Sequence, residues 1–130
     1  MNLLPQTLLA VAMGGALGAI ARYSMSVWAL QRFPGQQLPL ATLTVNAIGA
    51  LAIGILYVII VERGVVDPRW QPLLMVGFLG SLTTFSTFSI ELVNYLHRGE
   101  GWLALGYAAL SVLLCLALTA AGIAATRAYF

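Results

Sequence analysis

Charged residues are scarce in this sequence. They form 8% of the 130 residues, whereas an ordinary soluble domain carries about 25%. None of them is lysine, and the formal net charge of +2 comes from scattered arginines. Such a chain has too little polar surface to cover a water-soluble globule and no basic patch for a nucleic acid. We therefore expect its surface to face membrane lipid.

The side chains that usually build an active site are equally sparse. The single cysteine, Cys115, has no partner for an intrachain disulfide. His97 has no metal-ligand spacing around it, and Glu91 is the only acid inside an apolar stretch. No nucleophile stands beside a base, and no glycine loop is suited to a phosphate. The sequence therefore predicts that the protein is not an enzyme.

Long apolar stretches are abundant instead. Each of four stretches reaches the roughly 20 residues that an α-helix needs to cross a bilayer. They cover about 3–30, 40–61, 70–96 and 102–125. Turn residues separate them, and tryptophans lie near span ends, where the indole prefers the headgroup boundary. We predict an all-α membrane protein with one four-helix transmembrane domain over residues 1–130.

The arginines are divided evenly between the two ends of the predicted helices. Three lie on the side of the termini and three on the other side, if Arg22 snorkels there: Arg63, Arg69 and Arg127 against Arg22, Arg32 and Arg98. Orientation normally follows an excess of basic residues in cytoplasmic loops, and neither side has one. Two interpretations stay open: insertion in both orientations with antiparallel pairing of two copies, or one orientation set by weak local signals.

A hydroxyl-rich break interrupts the third span from Gly80 to Ser89. Six of the nine residues from Ser81 to Ser89 carry a hydroxyl, and serine and threonine can bond their own backbone in competition with the helix. A broken helix in a membrane is tolerated only where it is buried in protein or lines a cavity. Phe85 and Phe88 share one face of this segment. Core packing is the plain explanation for them, and contact of their electropositive ring edges with an anion is the alternative.

Small and charged residues share one face of the first span. Gly14, Gly18 and Arg22 are spaced four apart, a pattern that lets helices approach closely in lipid. The glycines fit packing inside one copy and an interface between two copies equally well. Arg22 fits a side chain that snorkels to the headgroups, or a cation that lines an anion vestibule.

The second and fourth spans each carry a polar stripe. Thr42 and Asn46 lie one turn apart in span two. The Asn46 amide must find partners, either as an interhelical clamp or as a donor to a passing anion. In span four, Tyr107, Ser111 and Cys115 follow at four-residue spacing, which suits the lining of a wet track. Cys115 also fits a small apolar filler.

In combination, these residues resemble the Fluc (CrcB) fluoride channels, and the resemblance extends over all four spans. It rests on motifs in a fixed order and spacing: Gly14-Gly15 with Gly18 and Arg22-Tyr23, then Thr42-Leu43-Thr44-Val45-Asn46, then the run from Gly77 to Ser89. The resemblance implies a multi-pass protein of the bacterial inner membrane. It also implies a fluoride-selective channel that lets fluoride leave the cytoplasm passively and so limits its toxicity.

The resemblance further implies an antiparallel, dual-topology homodimer with two fluoride pores and a structural sodium ion between them. Gly80 and Thr83 match the positions whose backbone carbonyls hold the sodium ion. Asn46 matches the pore asparagine, and Phe85 and Phe88 match the phenylalanines that face fluoride. We expect further pore hydroxyls, and a vestibule cation at Arg22; the hydroxyls belong to Thr42, Thr84, Thr87, Tyr107 and Ser111.

Two departures from the family pattern accompany this assignment. Cys115 stands where a hydroxyl can occur in relatives, which weakens a continuous hydroxyl ladder to the end of span four. Ser81 follows Gly80 where relatives often have two glycines, and the change stiffens the break without removing a carbonyl.

Two other classes of protein remain as alternatives. A proton-coupled exporter of the small multidrug-resistance type also has four short helices, but it needs a membrane-embedded carboxylate. The first span has no acid, and Glu91 lies late in the third span. A structural membrane subunit would explain the glycine face, but not a hydroxyl-rich break with two phenylalanines.

Overall fold

The computed structural model describes residues 3–130, and within them four helical segments are long and apolar enough to cross a membrane. They are α1 (Pro5–Arg32), α2 (Leu40–Glu62), the pair α3 and α4 (Pro68–His97) and α5 (Gly101–Tyr129). All regular structure in these residues is helical. The protein is a multi-pass membrane protein, as the sequence predicts.

Short loops join the spans and turn at glycines with left-handed backbone. Their φ angles are positive: 76° at Gly35, 60° at Gly64 and 73° at Gly99. Other residues rarely adopt this conformation. Beyond the third of these turns, α5 continues to Tyr129, past the predicted limit at residue 125. Near its end, the Arg127 Nε donates to the Glu62 carboxylate of α2 at 3.0 Å.

Two stretches are π-helical, which the apolar periodicity does not predict. One is Tyr57–Glu62 at the end of α2. The other lies in α3 (residues 68–82), which begins with a 3₁₀ turn at Pro68–Trp70, continues as a π-helix over Pro72–Leu79 and closes with an α-helical turn at Gly80–Leu82. The wider π-helical turn is rare and is found frequently at functional sites.

Only two residues leave the helical conformation between α3 and α4 (Phe85–His97). Thr83 has φ/ψ of −80°/156°, and Thr84 has −150°/128°. Both values belong to extended backbone. The helix over Pro68–His97 is therefore interrupted at these two residues. The Thr83 N–H still bonds the Leu79 carbonyl at 3.0 Å, whereas the Thr84 N–H has no helical partner and bonds the Asn46 side chain.

The predicted break from Gly80 to Ser89 is too wide. Gly80 belongs to the last turn of α3, and Ser89 belongs to α4. The hydroxyls complete α4 instead of interrupting it: Thr84 Oγ1 accepts from the Thr87 N–H at 3.2 Å, and the Ser89 hydroxyl donates to the Phe85 carbonyl at 2.8 Å. The first of these contacts is a helix N-cap.

Glycines bring α1 and α3 into backbone contact. A Cβ atom at Gly14 would overlap the Leu73 carbonyl oxygen, and one at Gly18 would overlap that of Phe78. From the other side, a Cβ atom at Gly77 would lie 2.7 Å from a carbonyl oxygen of α1. The small-residue face of α1 therefore packs inside one copy, which decides between the two interpretations of this pattern.

The helices α2 and α5 approach each other in the same way. A Cβ atom at Gly122 would lie 2.7 Å from the Leu51 carbonyl oxygen. The Thr119 hydroxyl donates to the Ala50 carbonyl at 2.9 Å. Two buried clusters fill the interior, and they consist of Val45, Leu79 and Leu82, and of Phe88, Tyr95, Ala104 and Tyr107. Large apolar side chains on the outer faces are exposed, as expected where a protein meets lipid.

Candidate functional site

A groove of about 580 Å³ lies beside the break in the third span. Five predicted pore residues from three spans line it, and so do the two residues matched to the sodium site. The five are Asn46, Thr84, Phe85, Phe88 and Ser111, and the two are Gly80 and Thr83. The fold therefore gathers seven of the predicted site residues around one space.

The Asn46 amide clamps the extended Thr84 backbone. Its NH₂ group donates to the Thr84 carbonyl at 3.1 Å, and its oxygen accepts from the Thr84 N–H at 2.8 Å. The interhelical clamp considered from the sequence is thus present. An NH₂ group has two donors, and the second has no partner among the described residues. Asn46 also lines the groove.

Two phenylalanine rings form one wall of the groove. The centroids of Phe85 and Phe88 are 5.5 Å apart, and the rings are tilted by 50°. Phe88 is buried and also packs against Tyr107, with centroids 5.2 Å apart. Phe85 is 77% exposed. The pair therefore combines one ring fixed in the core with one ring that has no cover in a single copy.

The Ser111 hydroxyl is buried without a hydrogen-bond partner in the described part of the chain. Its residue is only 7% exposed and lines the groove. An unsatisfied buried hydroxyl costs about 1–3 kcal/mol. Ser111 thus contributes a polar side chain to the wall of the groove.

Glu91 holds the predicted polar residues of three helices together. The Thr42 hydroxyl donates to its Oε1 at 2.7 Å, and the Tyr107 hydroxyl donates to its Oε2 at 2.7 Å. Hydrogen bonds to a charged carboxylate are the stronger kind. Thr42 and Tyr107, two of the residues predicted to line the polar track, are therefore joined by a carboxylate that the sequence did not place in the site.

This carboxylate also lines a second cavity, of about 480 Å³. Thr42 and Thr87 line the cavity as well, and so do Asn94 and Arg98, which lie farther along α4. The sequence offered a signal for this cavity. Thr87, Glu91, Asn94 and Arg98 follow each other at spacings of four, three and four, which places them on one face of a helix.

A hydroxyl pair connects the two spaces. Thr84 lines the groove and Thr87 lines the second cavity. Their hydroxyls are 3.2 Å apart and hydrogen-bonded. Polar groups therefore continue along α4 from the break to the cavity beyond Glu91.

Arg22 bonds the backbone at the end of α3 and lies outside the groove. Its Nε donates to the Ser81 carbonyl at 2.9 Å, at the end of α3. The C-terminal end of a helix carries partial negative charge, and a cation there is favourable. Arg22 lines neither of the two cavities described above. Its role at a vestibule stays a prediction.

Comparison with known families decides the class of the protein. The family model described as "CrcB-like protein, Camphor Resistance (CrcB)" matches residues 9–123. The chain belongs to the CrcB-like family. The resemblance found in the residues is therefore confirmed.

Several curated CrcB-like relatives match almost the whole chain. A protein of Saccharophagus degradans is 46% identical over 121 residues, which are 92% of this chain and 88% of the relative. One of Cereibacter sphaeroides is 45% identical over 123 residues, or 95% of this chain and 96% of the relative. One of Pseudomonas syringae pv. tomato is 42% identical over 122 residues, or 94% and 98%.

All three relatives carry the name "Fluoride-specific ion channel FluC". This is the name of a channel, and membership of the family confirms the prediction that the protein is not an enzyme.

Proposed function

We propose that the protein is a fluoride-selective channel that lets fluoride leave the cytoplasm passively across the bacterial inner membrane. The observation that carries this proposal is the groove beside the break. There Asn46, Ser111, Phe85 and Phe88 line one space, and one N–H of Asn46 and the Ser111 hydroxyl have no partner among the described residues. Fluoride is small and strongly hydrated, so a pore must replace its water with such donors. The names of the relatives support fluoride as the ion.

The path of the ion follows the polar row along α4. From the groove it passes the bonded hydroxyls of Thr84 and Thr87 and enters the second cavity. Glu91 stands at this passage, and two hydroxyl donors at 2.7 Å occupy its oxygens. These donors offset part of its negative charge, which would otherwise repel an anion.

The working unit is an antiparallel homodimer with two pores. In one copy the groove is open to the outside, because Phe85 is 77% exposed and Gly80 is also exposed. A second copy of the chain closes the groove and supplies the missing wall. Two copies that meet at the break create two equivalent grooves, hence two paths.

The charges support antiparallel pairing. Ion pairs join Asp67 to Arg69 and Glu62 to Arg127 on the side of the termini. On the other side, Arg98 pairs with Glu100. Outside these pairs remain Arg63 at the first end and Arg32 at the second. Arg22, which the even tally counts at the second end, bonds the Ser81 carbonyl beside the break instead, so the ends differ by only one arginine, three against two. Neither end has the basic excess that would set a single orientation.

A sodium ion at the dimer centre fits the backbone of the break. The carbonyls of Ser81 and Thr84 accept from Arg22 and Asn46, whereas those of Gly80 and Thr83 accept no hydrogen bond from the described residues. Clusters of three or more histidine, cysteine or acidic side chains that could hold a metal do not occur in residues 3–130. A cation there would therefore rely on carbonyl oxygens, which hard cations prefer. Its charge would offset carbonyl dipoles brought together by two copies.

Fluoride efflux from proteoliposomes tests the channel. Purified dimer is reconstituted with internal fluoride, and a fluoride electrode records release after the potential is clamped. We expect release much faster than from empty liposomes, with chloride release at the background rate. Release at the rate of empty liposomes from folded dimer would reject the proposal.

A proton-coupled exporter is the second candidate, and the partly buried Glu91 carboxylate favours it. Such a carboxylate exchanges protons in transporters. A pH gradient imposed without a fluoride gradient separates the two mechanisms. A channel produces no net fluoride accumulation under this condition when the membrane potential is held at zero, whereas a coupled exporter concentrates fluoride on one side.

A further inference from the structure

The loop between α1 and α2, residues 33–39, is tied to the third span by a side chain. The Tyr95 hydroxyl of α4 donates to the Gln37 carbonyl in the middle of this loop. Two residues earlier, Gly35 has a left-handed φ of 76°, and nothing lies within 4 Å of a Cβ atom added there. The Tyr95 bond therefore holds a part of the loop whose neighbouring glycine lies in open space.

The ring and the hydroxyl of Tyr95 have separate roles. Tyr95 is only 3% exposed, and its ring meets that of Tyr107 edge to face, with centroids 6.2 Å apart. A phenylalanine would fill this core position equally well and would have no hydroxyl to satisfy. A buried tyrosine hydroxyl needs a partner, and here that partner belongs to the loop. Packing alone accounts for the ring but not for the hydroxyl.

The tethered loop forms part of the wall of the second cavity. Gly35, Gln36 and Gln37 line this cavity, and so does Arg98 just beyond the end of α4. All four residues are exposed, so the cavity reaches the protein surface where they lie. We call the part that these four residues line the mouth of the cavity.

Tyr95 connects this mouth to the carboxylate of Glu91. Tyr95 itself lines the cavity, and the Arg98 guanidinium lies over its ring, 5.0 Å from the centroid. On another side its ring contacts Tyr107, whose hydroxyl donates to the Glu91 Oε2 at 2.7 Å. One buried side chain thus contacts both the mouth and the polar network of the proposed ion path.

Loss of the Tyr95 bond would free the middle of the loop beside an open space. Gly35 permits a change in backbone direction that other residues resist. The next two residues, Gln36 and Gln37, have long polar side chains, and the cavity beside them measures about 480 Å³. A glutamine side chain fits into such a volume. A loop that moved inward would therefore obstruct the mouth.

We propose that Tyr95 is a positioning residue for the anion path: its hydroxyl holds the loop at residues 33–39 against α4 and thereby keeps the mouth of the second cavity open. The proposal rests on the proposed function, because that function assigns this cavity to the path of fluoride. Tyr95 acts through the loop and not by contact with the ion.

Tyr95→Phe is the variant that tests the tether, because it removes the hydroxyl and keeps the ring. A nitroxide attached at Gln36→Cys, in a Cys115→Ser background, reports the mobility of the loop by electron paramagnetic resonance. We expect the label to become more mobile in Tyr95→Phe. A label at Val65→Cys, in the loop after α2, should be unaffected. Equal mobility at position 36 with and without the Tyr95 hydroxyl would overturn the proposal.

Single-channel recording of fluoride current in planar bilayers tests the consequence for the path. We expect the ratio of closed to open time to rise about two- to tenfold in Tyr95→Phe, as for the loss of one ordinary hydrogen bond. The current through an open channel should stay the same. A purely structural role would give fewer active channels with unchanged closures, and that result would overturn the proposal.

Tyr57→Phe is the matched control for the chemical change. Tyr57 lies near the other end of α2 and is 41% exposed, so its closures should equal those of the unmodified chain. An equal rise in closures in this variant would show a nonspecific effect and count against Tyr95.

The failure of the proposed function would look different. Unmodified protein that carries no fluoride current would reject the channel itself, and the role of Tyr95 in its path as well. Unchanged closures of Tyr95→Phe in a conducting protein would reject the role of Tyr95 alone.

Discussion

The Asn46 side chain pairs with the extended backbone of Thr84 in the way a neighbouring β-strand would. An extended residue directs its N–H and C=O to the same side, and the Asn46 amide bonds both groups of Thr84, at 2.8 and 3.1 Å. Backbone groups without partners are costly in lipid. One side chain therefore supplies what a neighbouring strand would supply in a sheet.

Asn46→Asp tests this role together with the pore. Aspartate keeps the acceptor for the Thr84 N–H but places a second oxygen against the Thr84 carbonyl. We expect a loss of about 1–3 kcal/mol of stability, since a polar group is left unpaired, and loss of fluoride flux. Thermal unfolding in detergent and the electrode assay measure the two effects.

Asn94→Asp is the matched control for stability. Asn94 is exposed on α4, so its change should alter stability by no more than about 0.5 kcal/mol. Because Asn94 lines the second cavity, the variant is a control for stability and not for flux. Full flux in Asn46→Asp would show that our pore assignment is wrong.

The sequence indicated which individual residues line the groove better than it indicated which groups their side chains bond. Asn46, Phe88 and Ser111 were selected from their types and spacing, and they do line one groove. Glu91 was noticed only as an acid that an exporter would need. Its hydrogen bonds to Thr42 and Tyr107 depend on how three helices pack, which spacing within one helix cannot show.

At the scale of elements, the sequence predicted four spans and a break, but not the width of the break. A run of hydroxyls looks the same whether it caps a helix or disrupts one, because serine and threonine bond nearby backbone in both cases. Here Thr84 caps α4 and Ser89 bonds back within it. The π-helix at Pro72–Leu79 also left no signal, since it is built from ordinary apolar residues.

The contact between α1 and α3 predicts a strong effect of one added methyl group. In Gly18→Ala the new Cβ overlaps the Phe78 carbonyl oxygen, so the helices must separate. We expect a loss of about 1–3 kcal/mol and a reduced yield of folded protein in size-exclusion chromatography. Gly106→Ala is the control, because nothing lies within 4 Å of its added Cβ. Equal stability of both variants would contradict the packing of α1 on α3.

Substitution of either phenylalanine of α4 is expected to lower flux, but only one of the two substitutions should also lower stability. Phe85→Ile should abolish flux with little effect on the fold of one copy, because Phe85 is 77% exposed. Phe88→Ile should also lower stability, by roughly 1–2 kcal/mol, since the ring packs against Tyr107. Flux and thermal unfolding of both variants provide the comparison. Full flux in Phe85→Ile would remove that ring from the path.

For the whole molecule, the balanced charges predict insertion in both orientations. Gln36→Cys and Val65→Cys, each in a Cys115→Ser background, mark the two ends and leave every arginine in place. An impermeant thiol reagent on intact cells should label about half of each, as a chain without a basic excess on either side has no preferred orientation. Complete labelling of one position and none of the other would mean a single orientation.

An added charge sharpens this test. Gln36→Arg and Val65→Arg each add an arginine to one end, and they should bias the chain towards opposite orientations. Either variant alone should then lose flux, and co-expression of the two should restore it. Full flux from either variant expressed alone would argue against antiparallel pairing.

The sodium ion and the dimer proposed above predict that the stability of the folded protein depends on the cation. Ligands that bind only the folded state raise its stability with concentration. We expect the melting temperature of the dimer to rise with sodium and not with N-methylglucamine at equal ionic strength. Identical melting after thorough exchange would count against the ion.

The break has both of its side-chain partners upstream. Arg22 and Asn46 bond the carbonyls of Ser81 and Thr84, and both precede them in the chain. Synthesis runs from the N-terminus, so α1 and α2 have already been made when the break leaves the ribosome. The nascent chain does not depend on a later helix to satisfy these two carbonyls. The order of the spans along the chain thus protects the break during insertion.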